Sequence, residues 1–248
     1  MKKLLAALFF APIVAAFSAA IPAHASEAGY LLDRAPIDPK DMLSLQAGAR
    51  TFVNYCLNCH GAQFMRYNRL TDLGLSEAQI LNNLVLTDAK VGDTMKVALP
   101  AKDAKAMFGA APPDLTVVGR SRGADWLYTY LRTFYRDPKT LTGWNNAVYP
   151  AVAMPNPLWS LQGQRALEVV EHEEHHAPPE YKWTQLSPGT QDEVQYDTTV
   201  RDLVNFIVYM GEPAAMNRKR YGIAVLFALG VLFIFAYALK KEYWKDVH

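Results

Sequence analysis

Cys56-Leu57-Asn58-Cys59-His60 is the run on which the reading of this chain turns. Two thiols separated by two residues and followed at once by an imidazole can serve three chemistries. A thioredoxin-like redox pair needs a strand before it and a helix after it, in a βαβ setting, whereas here the motif closes a helical pattern. A zinc site needs a second pair of ligands, and Cys56 and Cys59 are the only cysteines in 248 residues. Covalent haem needs what is present: two thiols to add to the two haem vinyl groups, and a histidine placed under the iron. The spacing therefore predicts one haem c, attached through Cys56 and Cys59, with His60 on the iron. Two cysteines in an exported protein would otherwise be read as a disulfide.

Immediately upstream, Leu45-Gln46-Ala47-Gly48-Ala49-Arg50-Thr51-Phe52 reads as an amphipathic helix with Gly48 and Phe52 four apart on one face. Glycine inside a helix costs roughly 1 kcal/mol relative to alanine, which the close approach of another helix would offset. The expected partner runs from Asp197 to Met210, where Val200, Leu203, Val204, Ile207 and Val208 recur at helical spacing and Gly211 with Pro213 supplies a stop. A first and a last helix paired around a haem resemble the general cytochrome c fold. The fold class expected is mainly α: a cytochrome c-type haem domain with long loops or insertions, plus one C-terminal transmembrane helix.

The second axial position separates electron transfer, which wants it filled, from ligand chemistry, which wants it open. The histidines after residue 25 are His60, His172, His175, His176 and His248, the last beyond the apolar C-terminal segment. Among the methionines, Met65 is too close to His60 to cross to the opposite haem face. Met210 and Met216 sit at a helix end and the membrane boundary, and Met95 and Met107 fall in a Lys/Ala-rich stretch that reads as loop and surface. Met154 is the best candidate: it stands in Tyr149-Pro150-Ala151-Val152-Ala153-Met154-Pro155-Asn156-Pro157, where three prolines restrict the backbone and can present the side chain rigidly. A neutral thioether favours Fe(II) and raises the potential. In Ala111-Pro112-Pro113-Asp114-Leu115, a carbonyl at the prolines, with Pro113 the candidate, can accept the His60 Nδ1–H. Arg120 and Arg122 follow, and an arginine here can pair with a haem propionate.

The two ends place the domain. Lys2 and Lys3 precede an apolar run from Leu4 to Ala20, and Ala23-His24-Ala25 offers small residues where a signal peptidase reads, so residues 1–25 are expected to be a cleaved signal. Tyr221 to Leu239 carries no charge, and 19 residues at 1.5 Å rise span about 28 Å, close to the hydrocarbon thickness of a bilayer. Its basic flanks tie in number and do not orient it. Export of the N-terminus then assigns 26–217 to the exterior haem domain, 218–241 to the anchor with its basic flanks, and 242–248 to a cytoplasmic tail. The expected location is the bacterial cell membrane, with the haem domain in the periplasm.

Residues 26–217 hold 17 Lys/Arg against 22 Asp/Glu, and most of the imbalance lies in 168–197, where eight acids face Lys182 alone. That segment reads as an exposed acidic insertion, and Glu168 to His176, with three histidines among acids, as a solvated loop. A domain with this charge suits steered encounters with a basic protein and argues against nucleic acid as a partner.

Taken together, these runs resemble the cytochrome c1 family, the haem c subunit of ubiquinol–cytochrome c reductase. Ser44 through Arg50, the haem motif, Met65-Arg66-Tyr67-Asn68-Arg69-Leu70, Pro112-Pro113-Asp114-Leu115, Met154-Pro155 and the anchor all occur in the family's order. The resemblance implies that His60 and Met154 are the axial ligands, that Arg122 pairs with a propionate and that Trp126 neighbours the haem. It implies a relay of single electrons from the Rieske iron–sulfur protein to a soluble or membrane-bound cytochrome c. Cytochrome b would be the neighbour in the bilayer and the complex dimeric, with no turnover by this chain alone. Some bacterial members carry an additional disulfide, for which this sequence has no cysteines. The competing readings are a membrane-anchored cytochrome c feeding a terminal oxidase, which would purify without cytochrome b, and a haem peroxidase, which needs an open axial position.

Overall fold

The computed structural model describes residues 29–97, 99–170 and 179–246. The expected signal at 1–25 lies outside the described residues, as do all three histidines of the acidic stretch. The haem-motif helix α1 spans Met42–Thr51, capped by the Asp41 carboxylate, which accepts from the amides of Leu43 and Ser44. It widens into a π-type turn over Phe52–Cys56, closed by the Leu57 amide donating to the Phe52 carbonyl at 3.0 Å. Strand β1 (Ala62–Arg66) and a 3₁₀ turn (Tyr67–Leu73) follow, then α2 (Glu77–Asn83), β2 (Thr94–Met95), α3 (Ala101–Phe108), α4 (Val118–Ser121) and α5 (Ala124–Arg132). The chain continues through β3 (Phe134–Arg136), β4 (Trp144–Asn146), α6 (Trp159–Gln162), β5 (Gly163–Val170), β6 (Glu180–Pro188), α7 (Glu193–Gly211) and α8 (Ala215–Tyr243).

The crossing of α1 with α7 is the centre of the domain. A methyl on Gly48 would overlap the Asp202 carbonyl and stand 2.7 Å from Phe206 Cβ, so glycine is what lets the two backbones meet. The crossing is also keyed by polar groups. Ser44 Oγ donates to Asp202 Oδ1 at 2.7 Å, and Asn205 Nδ2 donates to Ser44 Oγ at 3.0 Å and to the Asp38 carbonyl at 2.7 Å. Around it Leu45, Phe52, Val200, Leu203, Val204 and Phe206 are fully buried, with Phe52 and Phe206 rings 5.6 Å apart. Helix α5 joins the same core through Tyr196, whose hydroxyl donates to the Leu131 carbonyl at 2.8 Å.

Three expectations are corrected. Of the stretch Glu168–His176 read as a loop, Glu168–Val170 belong to β5, which pairs antiparallel with β6 from Gly163↔Pro188 to Val170↔Glu180, and the first turns of α7 lie within the end of the acidic stretch. Side chains of β6 alternate, Tyr181 and Trp183 half-buried between exposed Glu180, Lys182 and Thr184. Helix α7 starts four residues before Asp197, because Asp192 and Gln195 form a reciprocal capping box. Met95, read as surface, is fully buried in β2, whereas Met107 is exposed as expected.

Helix α8 has 29 residues, and Arg220–Tyr243 is long and apolar enough to cross a membrane. Its apolar side chains, Ile223, Leu226, Phe227, Phe233 and Ile234 among them, are exposed, as in a helix whose solvent is lipid. Only Glu212, Pro213 and Ala214 separate it from α7.

Candidate haem-binding site

The π-type turn delivers Cys56 into the core, where its thiol is buried, and leaves Cys59 partly accessible; neither is in a disulfide. Burial, reinforced by the neighbouring Cys59, pushes the Cys56 thiol up to about 12. The next amide, His60 N, donates to the Cys56 carbonyl at 2.8 Å, so the imidazole is set by the same turn that sets the thiols.

His60 Nδ1 lies 2.7 Å from the Pro113 carbonyl. A carbonyl only accepts, so Nδ1 carries the proton and the Nε2 lone pair is the one available to a metal. Burial holds the imidazole below its ordinary range despite the Pro113 bond and the nearby Asp114, which keeps it neutral at neutral pH. The segment that carries Pro113 is fastened to the motif's far side. The Leu115 amide donates to the Gly61 carbonyl (2.8 Å), the Gln63 amide to Asp114 Oδ2 (2.7 Å), the Thr116 amide to Asp114 Oδ1 (2.9 Å) and the Phe64 amide to Thr116 Oγ1 (3.3 Å). Asp114 and Thr116 thus hold the imidazole's partner in place, a role that the sequence reading did not assign them. A short polar residue after a proline pair was the only local signal.

Met154 lies in the loop between β4 and α6, half-buried and packed against the core that also contains Cys56 and Leu57. Side-chain amides fasten this loop at both ends. Asn146 is fully buried: its Oδ1 accepts from the amides of Val148 (2.9 Å) and Tyr149 (3.1 Å), and its Nδ2 donates to the Tyr130 carbonyl at 2.7 Å. Asn145 Oδ1 accepts from the Ala151 amide at 2.9 Å, and Ala151 itself sits at φ 58°, a left-handed conformation unusual for alanine. Asn156 Oδ1 accepts from the Leu158 amide at 2.9 Å. The three prolines suggested rigidity, but these asparagines, not the prolines alone, supply it. The sulfur accepts a hydrogen bond from the Tyr130 hydroxyl at 3.4 Å.

Arg122 places its guanidinium 5.0 Å from the Trp126 ring centroid and 5.8 Å from that of Tyr149. Trp126 stacks on Tyr130 with centroids 4.7 Å apart and planes 12° from parallel. Its indole Nε1 is buried with no acceptor among the described residues. Arg120, the other arginine considered, runs beside Gly211 at the end of α7.

These donors fit a haem c: two unpaired thiols, a neutral imidazole with its outer nitrogen already engaged, a thioether on a fastened loop, and a buried indole N–H without an acceptor among the described residues, which an acidic group would satisfy. Among the described residues no group of three or more His, Cys, Asp and Glu could hold a metal ion instead.

The Cytochrome C1 family's sequence profile matches residues 34–247. The chain is 48% identical over 226 residues to cytochrome c1 of Allochromatium vinosum, covering 90% of this chain and 93% of that one. It is 27% identical over 238 residues to cytochrome c1 of Rhodospirillum rubrum, covering 84% and 83%. It is also 49% identical over 248 residues to a Nitrosomonas europaea protein named ammonia monooxygenase gamma subunit, covering 100% of this chain and 99% of that one.

Proposed function

This chain belongs to the cytochrome c1 family, and from that premise we propose how its own residues hold the haem c, which partner takes its electrons and which way it faces. As a family member it is the electron-transfer subunit of a cytochrome bc1 complex, beside cytochrome b and the Rieske protein, with no turnover alone. In this reading Cys56 and Cys59 would carry the thioether links, His60 and Met154 would hold the iron, and Arg122 and Trp126 would meet a propionate. When bound, the haem iron supplies a one-electron couple.

The observation that carries the ligand assignment is the bond from His60 Nδ1 to the Pro113 carbonyl, which fixes the tautomer that a metal-binding imidazole needs. Burial keeps that imidazole neutral. Met154 offers a neutral, soft donor from the loop that Asn145, Asn146 and Asn156 fasten, and such a donor favours the reduced state. With both His60 and Met154 to hold the iron, relay would be favoured over peroxidase chemistry.

The acceptor in this reading is a basic cytochrome c, steered by the acidic stretch 168–197. The haem domain lies on the periplasmic face, α8 crosses the bilayer and the tail is cytoplasmic. A redox-poised optical spectrum of the purified membrane complex tests the whole reading: ubiquinol should reduce this haem in a preparation that contains cytochrome b and the Rieske protein. Haem reduction by other donors in a preparation lacking both would overturn it. The full-length likeness to the Nitrosomonas europaea protein favours one other reading, a redox subunit beside an ammonia-oxidising enzyme. Ammonia-dependent reduction without a ubiquinol-dependent one would support that alternative.

A further inference from the structure

We infer that Tyr130 is a positioning residue that sets the reduction potential through Met154, by donating its hydroxyl proton to the sulfur. This rests on Met154 binding the iron. A thioether sulfur has two lone pairs, so the pair that accepts from Tyr130 leaves the other for a metal. A donor on the first pair draws electron density from sulfur, weakens its donation to the more positive ferric ion, and favours Fe(II). The distance of 3.4 Å from Tyr130 oxygen to Met154 Sδ is a normal length for a hydrogen bond to sulfur; Tyr130 is buried and Met154 half-buried.

Among the described residues no other acceptor is bonded to the Tyr130 hydroxyl, and its ring has little freedom: Trp126 stacks on it at 4.7 Å and Phe134 meets it edge-on at 5.0 Å. The backbone is held as well. The Tyr130 carbonyl accepts from Asn146 Nδ2, the same side chain that fastens the start of the Met154 loop, so donor and acceptor are referenced to one fixed point. Helix α5 therefore carries, on a single residue, both the anchor for the ligand loop and the group that polarises its sulfur.

The test uses the intact membrane complex and an optical redox titration of its haem c. Tyr130→Phe keeps the ring and removes the donor; the long-wavelength thioether-to-ferric-iron band should persist while the midpoint potential shifts downward. Incorporating 3-fluorotyrosine at 130, a stronger donor of nearly the same shape, should shift the potential upward. An unchanged potential in both would overturn the inference. So would a downward shift of equal size from Phe134→Leu, which disturbs packing around the ring without touching the hydroxyl. Failure of the ligand reading itself is separately visible: Met154→Leu would then leave the thioether band intact.

Discussion

At His60 a single hydrogen bond links sequence to redox chemistry. The Pro113 carbonyl holds the Nδ1 proton, and the clamp between 60–64 and 113–116 holds Pro113. Asp114→Ala removes the acceptor for the Gln63 and Thr116 amides, and leaving such donors unpaired costs about 1–3 kcal/mol. A lower unfolding midpoint and a perturbed imidazole–iron spectrum are the expected results, measured by thermal melts followed in the haem band. Met154→Leu should abolish the thioether-to-iron band and lower the midpoint potential; an unaltered optical spectrum would remove Met154 from the iron. Much at this scale was legible beforehand. The five-residue motif specified its own chemistry, and the proline pair pointed to the carbonyl. Tyr130, Asn146 and Asp114 were not legible as site residues, because each acts through a partner distant in the chain and no local spacing encodes such a pairing; Asn145 acts within its own loop, on Ala151, where nothing in composition singles it out.

Among the elements, the contact between α1 and α7 is the one the sequence announced most clearly, since glycine at 48 is unfavourable in an isolated helix and makes sense only against another backbone. Gly48→Ala should destabilise the domain by about 1–3 kcal/mol, the usual range for forcing atoms into a filled contact. Gly92→Ala, where a Cβ meets nothing within 4 Å, should be close to neutral in the same chemical-denaturation measurement. The β5–β6 hairpin was obscured by its composition. Period-two alternation is present in Tyr181-Lys182-Trp183-Thr184, but the surrounding acids give the segment the look of a solvated loop. The cap of α7 was likewise written in Asp192 and Gln195, and the apolar spacing that located the helix simply begins later, at Val200. Strand β2, two residues long, is too short for any periodicity, which is why the burial of Met95 went unforeseen.

For the molecule as a whole, charge and anchoring set how it meets its partners. Replacing Glu171, Glu173 and Glu174 with glutamine should slow reduction of a basic cytochrome c at low ionic strength and matter little at high salt, where the Debye length falls to a few ångströms. Stopped-flow kinetics across a salt series check this, and a rate independent of the substitution at low salt would remove the steering role. Ending the chain at Pro213 should release a haem domain that stays folded in aqueous extracts, because the apolar surface of α8 is exposed rather than part of the core; membrane fractionation with haem staining reads the outcome. The junction between α7 and α8 carries a further consequence. Three residues, at no more than about 3.6 Å each, give a tether of about 11 Å at most. The Ala215 amide bonded to the Glu212 carbonyl at 3.0 Å and the Arg218–Glu212 ion pair shorten it further. A haem domain leashed this tightly sweeps almost no volume. Every journey between donor and acceptor must then be made by the other proteins, and this chain serves as the stationary stop on their route.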